Sequence, residues 1–148
     1  SLENYVCAAE SGDPEASESA ARLSLSQMAS QLETSKVEAL FQAASKTPSG
    51  ALGYASFFCM GNSTDYDGPC LHPKQAEEQV IRAINMGSIE AMSYLASTFE
   101  GGELGTKDMS RALACYQMAA DKGHRLSIDN VARLKSQGPE PIKASHCI

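Results

Sequence analysis

The residues able to do chemistry are few, and most gather in one stretch, CMGNSTDYDGPC, from Cys59 to Cys70. Its two cysteines, with His72 just beyond, offer three ligands suited to zinc, but a tetrahedral site needs a fourth ligand and a better spacing. Ser63, Asp65, Asp67 and Gly68 fall on the first, third, fifth and sixth positions of a calcium-binding loop of the EF-hand type. Lys74 then stands where that loop requires a bidentate glutamate, and the pattern fails. Asn62-Ser63-Thr64 is a glycosylation sequon, which matters only in a eukaryotic secretory setting. No metal and no cofactor is expected.

Catalysis finds little support elsewhere. His72 and His124 lie at loop or cap positions and His146 lies near the end of the chain, with no acid or nucleophile at useful spacing; all three read as solvated histidines. Glu77 and Glu78, flanked by Gln75 and Gln79, read as a solvated helix face. The stretch GGELG, Gly101–Gly105, follows a helical pattern rather than a strand, so it is a turn and not a phosphate cradle. The chain is expected not to be an enzyme. A net charge of -6 argues against nucleic acid as a partner. No apolar run approaches the roughly 20 residues of a membrane helix. The opening SLENYVCAAE has neither the basic start nor the apolar core of a signal peptide.

The elements that position these residues are set by an internal repeat. CAAESG, QAASKT, RAINMG and MAADKG end at Gly12, Thr47, Gly87 and Gly123, about 35–40 residues apart, which is the period of a helix pair. One helical turn before each alanine pair or Ala-Ile pair stands an apolar residue, Tyr5, Leu40, Val80 or Tyr116. Each ending is followed by a second pattern. It begins small, at Ala16, Gly50, Ala91 and Ser127; continues to Ala20, Tyr54, Leu95 and Val131; and places alanine next at Ala21, Ala55, Ala96 and Ala132. A recurring small residue inside a helix marks a close approach of two helix axes. The following turn carries Ser24, Phe58, Phe99 and Lys135, the last fitting a terminal unit with no helix to cover it.

The pattern predicts helices over about 2–11, 14–32, 35–46, 49–60, 73–86, 89–100, 108–122 and 126–136, with an irregular Pro-containing tail. The 148 residues then form one domain: a half-unit over 1–12, repeats over about 13–47, 48–87 and 88–123, and a capping helix and tail over 124–148.

This pattern resembles the Sel-one-like repeat family, relatives of the tetratricopeptide repeats. The best copy, AMSYLASTFEGGELGTKDMSRALACYQMAADKG, keeps Ala91, Leu95, Gly102, Ala112, Ala119, Ala120 and Gly123 of the family pattern; Phe99 stands at its Tyr position and Cys115 at its Trp position. The copy over Gly50–Gly87 keeps Ala55, Phe58, Gly61, Ala76, Ala83 and Gly87. The resemblance implies an all-α fold, a right-handed α-solenoid of stacked antiparallel helix pairs that binds another protein on its surface. It also bears on the cysteines, since some exported bacterial members carry a disulfide per helix pair. Cys59–Cys70 would then clip two helices at their joint, and a tail folded back over the last helix would bring Cys147 to Cys115. The alternative is reduced thiols in a cytosolic protein. Of the five cysteines, Cys7 would be left over as a small buried hydrophobe.

A binding surface is expected on the first helix of each pair, at Arg22, Leu25, Leu52, Ser56, Ser93 and Ser97, with Phe57 and Tyr66 as aromatic anchors. The expected function is a non-enzymatic module that sequesters or tethers one protein partner in the periplasm or outside the cell. A specific version is a bacterial immunity protein neutralising a basic toxin or effector. The alternative is a cytoplasmic adaptor fragment of a larger complex, favoured by the half-unit at the start.

Overall fold

The computed structural model describes residues 34–148 apart from Asn62, Thr64, Pro139, Glu140 and Ala144. The helices expected over 2–11 and 14–32, with Arg22 and Leu25, lie outside the described residues. The described elements are six helices: α1 (Thr34–Ala44), α2 (Pro48–Met60), α3 (Pro73–Asn85), α4 (Ile89–Gly101), α5 (Met109–Ala120) and α6 (Arg125–Ser136). No strand occurs among the described residues, and the tail over 141–148 is irregular where described.

Each start has a local cause. Thr47 caps α2, its Oγ1 accepting from the Gly50 amide at 3.1 Å, and Pro48 takes the first turn, where no amide is needed. Ser88 caps α4 and Asp108 caps α5 in the same way, through the amides of Ala91 and Arg111. Thr47 therefore does more than end α1, the role its repeat position suggested. His124 departs from the solvated reading. It is half-buried, and its Nδ1 accepts from the Ser127 amide at 3.3 Å and lies 2.8 Å from the Ser127 hydroxyl, so it is the cap of α6. Gly87 and Gly123 follow α3 and α5 with φ of +92° and +87°, the left-handed region that the repeat endings require.

Packing runs mainly between successive helices, as in a solenoid. The recurring small positions of α2 and α4, and the first of α6, face inward. A Cβ on Gly50 would lie 1.9 Å from the Ala44 carbonyl oxygen, and Ala55, Ala91, Ala96 and Ser127 are buried. Ala132, at the same register in α6, is exposed, because no second helix packs on it among the described residues. The apolar positions Leu40, Val80 and Tyr116 of the second helices and Tyr54, Leu95 and Val131 of the first helices all enter the core.

Arginines tie helices that are two apart. Arg82 donates to the Ser45 carbonyl at 2.9 Å, Arg111 pairs with Glu77 at 3.4 Å, and Arg133 forks onto the Glu100 carboxylate, 2.7 Å from Oε2. The Arg111 guanidinium also sits 4.1 Å above the centre of the Phe99 ring. Two disulfides close the described part, Cys59–Cys70 and Cys115–Cys147.

Candidate partner-binding surface

The loop that opened the question of chemistry is used up structurally. The sulfurs of Cys59 and Cys70 are bonded to each other, and the backbone beside them is paired: Leu71 N–H donates to Cys59 O at 3.1 Å and His72 N–H to Phe58 O at 2.9 Å. Asp65 and Asp67 are exposed, and no group of three metal-ligating side chains is assembled among the described residues. His72 is exposed, its ring edge-on to Phe58 at 6.3 Å. Tyr66 is half-buried within the loop, where its hydroxyl donates to the Pro69 carbonyl at 2.7 Å.

Phe57 is not a surface anchor. It is 6% exposed and packs with Phe41 at 5.3 Å, within a cluster that continues through Tyr54 and Phe58, whose rings lie 4.3 Å apart. The Tyr54 hydroxyl lies 3.2 Å from Glu38; burial first, and then that carboxylate, push its pKa above the ordinary phenol value. This aromatic block is the core between α1 and α2, so it fixes how the first helices present their outer faces.

The outer faces of α2 and α4 meet in one hollow. Leu52 and Ser56 of α2 line a hollow of about 290 Å³ together with Glu90 and Tyr94 of α4. Leu52 and Ser56 were expected on this face; Glu90 and Tyr94 were missed. Ser97 lies exposed one turn beyond Tyr94, and Ser93 is half-buried beside it. Tyr94 is 43% exposed, a large aromatic ring left in water between the small side chains of Ser93 and Ser97. Partial burial, and then the Glu103 carboxylate, raise its pKa above the ordinary phenol value, so at neutral pH its hydroxyl stays a donor. The hollow thus offers an apolar wall, a phenol donor and a carboxylate acceptor, the mixture typical of a peptide or side-chain seat. Leu126 of α6, at the register position of Glu90, is 67% exposed. No helix of the described residues is long and apolar enough to cross a membrane.

No protein-family model matches the sequence, and no curated protein matches it either. Solved structures do. A Sel1 repeat protein from Oxalobacter formigenes aligns over 89% of this chain and 97% of its own, with a TM-score of 0.63 at 20% identity. A protective antigen present in uropathogenic Escherichia coli strains, displaying an SLR fold, aligns over 93% of this chain at 15% identity, with a TM-score of 0.57; the chain spans 37% of that antigen's length. At these identities the likeness is one of fold.

Proposed function

From the Sel1-like repeat fold that this chain adopts, we propose that it is a protein-interaction module whose partner seats on the first-helix layer. The observation that carries the reading is the hollow lined by Leu52, Ser56, Glu90 and Tyr94, with its half-exposed aromatic ring. Aromatic residues anchor interfaces because they bury a large area at little cost in conformational entropy. The acidic balance, -6 overall, favours a basic partner. The two cysteine pairs favour an oxidising compartment, hence an exported module over a cytoplasmic adaptor. The two solved structures described above come from bacteria, which suits the specific version in which the chain masks a toxin or effector.

A photo-crosslinking residue in place of Ser97, used in the native extract, tests the surface. The expected result is one protein adduct that disappears when Tyr94→Ala and Leu52→Asp are introduced. An adduct indifferent to both changes overturns this face as the site. For the specific version, the captured protein should be inhibited by the wild-type chain and recover its activity with the double variant. Alkylation of the denatured chain, before and after reduction, tests the compartment: Cys7 alone should react before reduction, and five thiols reactive without reductant would shift the reading to the cytoplasmic adaptor.

A further inference from the structure

The described array ends on a first helix with no second helix after it, and this end differs from the rest in exposure and charge. Ile128 and Ala132 of α6 occupy the register positions of Ala51 and Ala55 in α2 and of Met92 and Ala96 in α4, all four of which are buried. Both α2 and α4 are followed by a packed second helix, α3 and α5. In α6 the same positions are open, Ile128 to 46%. Arg125, Ile128, Ala132 and Lys135 recur at spacings of three and four and so form one exposed stripe. The stripe meets, at Lys135, a hollow of about 190 Å³ between α5 and the tail, whose lining includes Leu113, Ala114 and Lys143.

The charge is set against the rest of the molecule. From Lys122 onward, Lys122, Arg125, Arg133, Lys135 and Lys143 stand against Asp129 and Glu140, in a chain whose net charge is -6. Arg111 and Arg133 are committed to carboxylates, whereas Arg125, Lys135 and Lys143 have no ion-pair partner among the described residues.

We propose that this end of the array binds an acidic amphipathic helix of a partner protein, laid against α6 as α3 lies against α2 and α5 against α4. Small and apolar residues of that helix would meet Ala132, Ile128 and Leu113, and its flanking carboxylates would meet Arg125, Lys135 and Lys143. Ala132 is the reason for a helix: its counterparts Ala55 and Ala96 are the small residues that let a second helix approach closely. A membrane surface would ask for bulky apolar residues along a convex face instead. This surface is separate from the Leu52–Tyr94 hollow, and either can fail without the other.

The test uses the full oxidised chain and a fluorescent, hydrocarbon-stapled peptide. The peptide carries the α3 sequence, Pro73–Asn85, with Lys74→Glu and Arg82→Glu, which keeps the second-helix pattern and makes it acidic. Saturable binding is expected, weakening with salt. It should fall about tenfold or more in Ile128→Asp and in the pair Lys135→Glu, Lys143→Glu, and stay unchanged in the distant exposed control Lys46→Glu. Circular dichroism checks that each variant is folded. The proposal is overturned by absence of saturable binding, or by equal affinity in Ile128→Asp. It is also overturned if Ile128→Asp instead abolishes binding to phosphatidylserine vesicles that the wild type adsorbs to, or abolishes a wild-type dimer seen by sedimentation, since those results give the stripe to a membrane or to a second copy.

Discussion

The two disulfides of this chain look alike on paper and do different work. Cys59–Cys70 joins residues 11 apart, at a joint already held by two backbone hydrogen bonds and followed at once by Pro73, which starts α3. Both of its cysteines are half-buried. Cys115–Cys147 joins residues 32 apart; Cys115 is 0% and Cys147 3% exposed, and what it holds is a tail without secondary structure. Besides that bridge, the tail is anchored by Ile142, partly buried against the core, and by Arg111, which donates to the Cys147 carbonyl at 2.8 Å. A crosslink over a joint that is already paired reinforces it, whereas a crosslink over an irregular segment decides where that segment lies.

The largest effect should come from the second bridge. The pair Cys115→Ala, Cys147→Ala is expected to cost about 4 kcal/mol, from the longer closed loop and from the packing lost at two buried sulfurs. Denaturant unfolding measures the loss, and hydrogen exchange should show residues 141–148 losing protection while α2 and α3 keep theirs. The pair Cys59→Ala, Cys70→Ala should cost about 2–3 kcal/mol, with faster exchange confined to residues 59–72. Equal losses, or a tail that stays protected without its bridge, would break the distinction.

How far the sequence foretold this arrangement depends on whether the repeats agree with one another. Where they do, at Ala55 and Ala96 or at Leu40, Val80 and Tyr116, the pattern named buried positions from spacing alone. Phe57 shows the opposite case. Its register partner in α4 is Thr98, also buried at 2%, whose hydroxyl donates to the Leu95 carbonyl of its own helix at 2.7 Å. A threonine that satisfies itself can occupy a core position, so Thr98 masked the internal character that Leu134, at the same register of α6 and 0% exposed, shares with Phe57. Tyr94 was hidden for a related reason: its counterparts are Gly53 and Asn130, and a surface residue has no repeat constraint to reveal it. Only its place between Ser93 and Ser97 on the expected face pointed there. The capping role of His124 was equally invisible, because an imidazole nitrogen is an uncommon substitute for the usual hydroxyl or carboxylate.

Single side chains beside the two bridges should show the same contrast more weakly. Arg111→Gln removes the donor to the Cys147 carbonyl, the pair with Glu77 and the guanidinium above Phe99, and should cost about 1–2 kcal/mol. The part of that cost that comes from the Cys147 carbonyl should be present while the disulfide holds the tail and vanish in the Cys115→Ala, Cys147→Ala background, a coupling that a double-mutant cycle reads directly.

Tyr66→Phe is the matching change at the other bridge. It deletes one exposed hydrogen bond, Tyr66 Oη to Pro69 O at 2.7 Å, in a loop whose ends are fixed by the Cys59–Cys70 bond and by the amides of Leu71 and His72. Water can replace an exposed partner, so the expected loss is within about 0.5 kcal/mol. It should stay that small even in the Cys59→Ala, Cys70→Ala background, because the two backbone bonds still hold the joint. A coupling at Tyr66 as large as that at Arg111 would mean that the short loop, like the tail, takes its position from its disulfide, and the two bridges would then differ in length alone.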